Sequence, residues 1–91
     1  MSTIEKIQEE ISVAEQVGIN NEIVLYNDDI NTFDHVIETL IKVCDHDPLQ
    51  AEQCAILVHY KGQCTVKTGS KEELIPFCSA LLDAGLSAEI E

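Results

Sequence analysis

The first block of apolar residues, Ile23-Val24-Leu25-Tyr26, is β-branched and uninterrupted, and reads as a short strand. It ends abruptly at Asn27-Asp28-Asp29. The apolar period then changes. Phe33, Val36, Ile37, Leu40, Ile41 and Cys44 recur at i, i+3, i+4, i+7, i+8 and i+11, the broad stripe of an amphipathic helix, with Asn31 or Thr32 placed to cap it. Asp45-His46-Asp47-Pro48 breaks this helix and starts another. Asp47 suits the N-cap, Pro48 the first helical position, and Gln50 completes a capping box. Ala51, Cys54, Ala55 and Val58 share one face, and Gly62 suits the left-handed residue that closes the helix.

Gln63 to Thr68 alternates and reads as a second strand. Ser70-Lys71-Glu72-Glu73 is a further capping box, opening a helix that runs through Leu74, Phe77, Cys78 and Leu81 to Gly85. Pro76 in its second turn removes a backbone donor and predicts a bend. Leu86 to Glu91 alternates again as a last strand. The order is β-α-α-β-α-β. It predicts an α+β two-layer sandwich, a small three-stranded antiparallel sheet covered on one face by three helices. Residues 1–20 stand apart. Ile4, Ile7, Ile11 and Ala14 form a thin stripe among glutamates, ending at Gly18, and read as a flexible acidic extension ahead of a domain over 21–91.

Totals narrow the classes of function. Ninety-one residues make one small domain with a modest core. Seventeen acidic residues against five basic ones give a net charge of -12, which argues against nucleic acid and suits a cationic ligand or a basic partner surface. No apolar run is long enough for a membrane span and no basic-then-apolar leader is present, so a cytoplasmic protein is expected. Cys44, Cys54, Cys64 and Cys78 form no C-x-x-C pair and fall on apolar faces or in a strand; buried free thiols are expected. Asp45-His46-Asp47, with Asp34 and His35 elsewhere, superficially suggests metal ligands, but side chains in so short a loop point different ways; no metal or other cofactor is expected. No Ser-His or Cys-His pair is brought together by the predicted helices, which argues against a hydrolase.

Two segments carry unusual chemistry: Asn27-Asp28-Asp29 after the first strand, and Val58-His59-Tyr60-Lys61-Gly62 at the end of the second helix. By residue type alone, the first fits turn and cap chemistry as well as a binding site. His59 equally fits a residue that satisfies helix-end carbonyls, and Val36, Ala55 and Val58 fit an ordinary core. Together and in this order, the two segments resemble the Asn-Asp-Asp and Val-His-Tyr-x-Gly motifs of the ClpS family, over residues 22 to 91.

The resemblance implies a non-enzymatic adaptor that binds bulky hydrophobic N-terminal residues (Phe, Leu, Tyr, Trp) of N-degron peptides and proteins. It would deliver them to the N-terminal domain of a ClpA- or ClpC-like AAA+ unfoldase, working as a monomer. It assigns Asn27, Asp28 and His59 to the α-amino group, with Asp29 and Asn31 near the first peptide unit. Phe33, Val36, Ala55, Val58 and Leu86 would line the side-chain pocket. The chain departs from the family in having Phe33 and Ala55 where Met is frequent. Ala55 in place of a large gate implies room for Ile or Val. The link from Gly62 to Thr68 is shorter than in many members and Pro76 interrupts the third helix, so docking on the protease would use different contacts or a different unfoldase. The alternative is a protein-interaction domain of the same fold without N-terminal recognition, like the C-terminal domain of the ribosomal stalk protein.

Overall fold

A computed structural model describes residues 21–91. The expected extension over residues 1–20 lies outside the described residues. The elements are β1 (Asn21–Tyr26), α1 (Phe33–Cys44), α2 (Pro48–Lys61), β2 (Gln63–Gly69), α3 (Lys71–Asp83) and β3 (Ser87–Ile90). This is the order and class expected from the pattern, with the first strand two residues longer at its start.

Each helix begins at the residue suited to it. The Thr32 hydroxyl accepts from the His35 N–H at 3.1 Å, the Asp47 carboxylate from Gln50 at 2.8 Å, and the Ser70 hydroxyl from Glu73 at 3.1 Å. Gly62 ends α2 at φ 90°, its N–H bonded to the Val58 carbonyl. Asp45 ends α1 in the left-handed region at φ 56°, where a short polar side chain is tolerated better than a branched one. Pro76 does not end α3, which continues to Asp83.

Strand order is β2-β1-β3, with both pairs antiparallel. Ile23 and Leu25 face the helices together with Val66, Ala88 and, in part, Cys64 and Ile90; Leu40, Cys54, Val58, Leu74 and Leu81 meet them from the three helices. Val24 alternates to the opposite face, where its cross-strand neighbours are Thr65 and Glu89, and is still only 2 % exposed. The β1–β2 register slips between Ile23 and Val24, leaving Val66 as a bulge. The buried His46 ring reaches this bulge and donates from Nε2 to the Val66 carbonyl at 2.7 Å. The Asp45-His46-Asp47 side chains thus go to separate places, one at a helix end, one into the core and one onto a helix start. On the same strand, the Lys67 ammonium sits 4.4 Å over the Phe77 ring and ties β2 to α3.

All four cysteines are free; three are buried and Cys64 is half-buried. Burial pushes the Cys54 thiol up to about 12, and neighbouring Cys64 and Cys44 add to the shift, so this thiol stays protonated and inert.

Antiparallel pairing fixes where function can sit. Tyr26, the last residue of β1, pairs with Gln63 and Ser87, the first residues of β2 and β3. The loop leaving β1 therefore emerges between the ends of α2 and α3. Leu81, fully buried on α3, holds that end to the sheet. Leu81→Ala is expected to cost about 2–5 kcal/mol in denaturant unfolding through the cavity it leaves; a loss below about 0.5 kcal/mol, the scale of surface substitutions, would contradict this packing.

Candidate functional site

The loop from Asn27 to Thr32 is organised by one carboxylate. Asp28 Oδ1 accepts from the Ile30 N–H at 3.0 Å, the Asn31 N–H at 2.9 Å and the Asn31 side-chain amide at 3.0 Å. Asp28 Oδ2 accepts from the same amide at 2.8 Å and from the Ser87 hydroxyl at 3.3 Å. The backbone N–H of Asn31 is the main influence holding the Asp28 carboxyl below its usual range. Partial desolvation opposes it, while the Asn31 amide, the Ile30 N–H and the Ser87 hydroxyl reinforce it. Asp28 is thus a fixed negative charge whose lone pairs are largely occupied by the protein.

The start of the loop is tied to α2, the Asn27 N–H donating to the Gly62 carbonyl at 3.0 Å. Its far end is tied to α3, the Asn31 amide donating also to the Gly85 carbonyl at 2.8 Å. Gly85, at φ 89°, closes α3 in a Schellman arrangement. Its N–H bonds the Leu82 carbonyl, and the Leu86 N–H bonds the Leu81 carbonyl. That turn directs Leu86 inward, where it is 4 % exposed.

Between these three segments lies a cavity of about 330 Å³. Asn27, Asp28, Asp29, Asn31 and His59 supply its polar lining; Phe33, Val36, Ala55, Val58 and Leu86 supply its apolar one. All ten residues singled out in the sequence therefore border one space. Ala55 and Val58 are buried like Leu86, while Phe33 is 41 % exposed, so the apolar lining has a deep floor and an open edge. Among the described residues no hydrogen bond engages the Asn27 side-chain amide or the His59 ring nitrogens, and the His59 ring is packed edge-on against Tyr60 at 4.8 Å. The polar groups thus divide. Asp28 and the nitrogen of the Asn31 amide are spent on the loop, and the side chains of Asn27, Asp29 and His59 have no hydrogen bond among the described residues.

Leu25 and Tyr26 also line the cavity and were not foreseen. Their place as the last two strand residues before the polar loop was the available signal. Gly85 and Ser87, which hold the loop, had none, since they lie more than fifty residues away in the chain. Among the described residues no cluster of three or more His, Cys, Asp or Glu could hold a metal, and no helix is long and apolar enough to cross a membrane.

Residues 19–89 match the family model described as ATP-dependent Clp protease adaptor protein ClpS. The chain belongs to the ClpS family. It is 35 % identical over 81 residues to the ATP-dependent Clp protease adapter protein ClpS of Thermosynechococcus vestitus, covering 88 % of this chain and 86 % of that protein. In fold it is similar to Agrobacterium tumefaciens ClpS2, solved bound to L-phenylalaninamide: the TM-score is 0.71 at 19 % identity, over 78 % of this chain and 93 % of the other. As a ClpS protein it is an adaptor of an ATP-dependent Clp protease, not the protease itself.

The held carboxylate makes a pH prediction for this ClpS protein. Because the folded Asp28 carboxyl is shifted down, its contribution to stability is present above the ordinary Asp value and is lost as pH falls through the lower folded one. Asp28→Asn lacks that contribution. The gap in melting temperature between wild type and variant should be full at neutral pH and narrow as pH drops below about 4; a constant gap would contradict the loop geometry.

Proposed function

We propose that the cavity binds the free N-terminal residue of polypeptides destined for the Clp protease. One observation carries the reading: three polar side chains with no hydrogen bond among the described residues, Asn27, Asp29 and His59, border the same cavity as the held Asp28 carboxylate and a buried apolar floor. An α-ammonium is a cation with several N–H donors and needs acceptors close together. Asn27 and a neutral His59 nitrogen accept from it. Asp28 supplies the balancing charge from within the loop. Asp29 and Asn31 lie where the first peptide unit leaves the cavity. Phe33, Val36, Ala55, Val58 and Leu86 surround the first side chain.

The size agrees with this use. About 330 Å³ is at the small end of ligand pockets, roughly 300–1,000 Å³, and suits one bulky residue better than a long peptide. That a ClpS2 structure similar in fold holds L-phenylalaninamide, a free amine beside an aromatic side chain, points the same way. Bulky hydrophobic ends, Phe, Leu, Tyr and Trp, are the substrates, carried by N-degron proteins. The chain hands them to the N-terminal domain of a ClpA- or ClpC-like AAA+ unfoldase, acting as a monomer in the cytoplasm. Ala55, small and on the floor, leaves room beside the β-carbon, so Ile and Val ends enter with a reduced penalty.

Fluorescence anisotropy with peptides differing only at residue one tests this. Phe- and Leu-ended peptides should bind, and acetylating the Phe amine should weaken binding about 100-fold or more, since two hydrogen bonds to a charged group contribute about 1.5–3 kcal/mol each. Flat, weak binding across the series would return the chain to a plain protein-interaction role. An Ile-ended peptide should bind better than an Ala-ended one, and Ala55→Met should weaken the Ile peptide by about tenfold, the scale of one methylene in a pocket, with less effect on Phe. An Ile peptide no better than Ala would remove the special role of Ala55.

A further inference from the structure

Three hydrogen bonds join the polar loop and the first turn of α1 to the end of α3 and the start of β3. The His35 ring donates from Nε2 to the Ala84 carbonyl at 2.8 Å. The Asn31 amide donates to the Gly85 carbonyl at 2.8 Å, and the Ser87 hydroxyl to Asp28 Oδ2 at 3.3 Å. We infer that His35 is a positioning residue for the cavity: it latches α1 to the end of α3 and holds the polar loop and the Leu86 wall in register. Its effect on affinity rests on the chain-end reading above; its effect on the loop does not.

The Schellman turn satisfies the Leu81 and Leu82 carbonyls from within α3. The carbonyls of Ala84 and Gly85, beyond the helix end, find donors on the facing segment, and those donors are His35 and Asn31. A carbonyl can only accept, so His35 carries its proton on Nε2 in this arrangement. The ring starts from a fixed base. The His35 N–H is held by the Thr32 hydroxyl at 3.1 Å, and its carbonyl accepts from the Thr39 hydroxyl at 2.7 Å. His35 does not line the cavity. It acts at both ends of the cavity's polar edge, because Asn31 lies four residues before it and Leu86 two residues after its acceptor. Without it, the Asn31 amide is the sole side-chain donor from this side to the α3 turn among the described residues, and that amide is already shared with both oxygens of Asp28.

Two variants separate positioning from general stability. His35→Leu removes the donor at similar bulk; His35→Gln keeps an N–H at comparable reach. In the full-length protein without peptide, His35→Leu should speed hydrogen exchange of the Ile30, Asn31 and Leu86 amides about tenfold, on the scale of one lost hydrogen bond. The Cys54 amide on α2 should keep its wild-type rate, and His35→Gln should restore the three loop rates. The Phe-ended peptide should then bind His35→Leu about tenfold more weakly, and His35→Gln close to wild type. Unchanged exchange at Ile30, Asn31 and Leu86, or equal acceleration at Cys54, overturns the latch whatever the peptide does. Faster loop exchange with undiminished peptide binding overturns its role in positioning the site. If wild type binds no peptide, the chain-end reading falls and exchange alone decides the latch.

Discussion

The Asp28 carboxylate accepts hydrogen bonds from two backbone amides, one side-chain amide and one hydroxyl, and the shape of the cavity follows from that convergence. Four residues after a strand, a chain has no regular ladder to hold it. Here the loop N–H groups point inward at one charge, so the loop curls around its own side chain. Asn31 then bridges that charge to the end of α3. The arrangement answers two needs at once. It satisfies backbone donors that neither strand nor helix would satisfy, and it parks a negative charge beside the opening without leaving that charge mobile.

Topology brings the other parts to the same place. With β1 central and both neighbours antiparallel, the end of β1 meets the starts of β2 and β3, which are also the places where α2 and α3 finish. His59 and Ala55 come from the last two turns of α2, and Leu86 from the residue that completes the α3 cap. No long excursion is needed. Three element ends are held together by short bonds, Asn27 to Gly62 on one side and Asn31 to Gly85 on the other. Groups spent on this scaffold are distinct from Asn27, Asp29 and His59, whose side chains line the space with no hydrogen bond among the described residues.

Much of this was legible in the chain because it is local. Asp47-Pro48 and Ser70 announce helix starts through chemistry completed within three residues, and Gly62 announces a helix end by the backbone angle it allows. The element order and the two-layer class follow from such signals, and ten of the twelve residues that line the cavity follow from the family resemblance that two short motifs carry. What was not legible depends on distance along the chain. Asn27-Asp28-Asp29 divides its roles: Asp28 does the turn's work through Ile30 and Asn31, within three residues, and through Ser87, 59 residues on, while Asn27 lines the cavity. The His46 ring that reaches the Val66 bulge reads in the sequence as a loop residue among carboxylates. Val24, buried on the face away from the helices, follows from cross-strand neighbours that periodicity cannot name.

The most direct test of the central claim is a residue-resolved NMR titration with a peptide that begins with free Phe and with the same peptide acetylated. The free peptide should shift the amide signals of Asn27, Ala55, His59 and Leu86 with one common dissociation constant, and the acetylated one should leave them in place at the same concentrations. Equal shifts from both peptides, or shifts confined to the exposed face of α2 around Leu49 and Gln53, would mean that the cavity does not read a chain end.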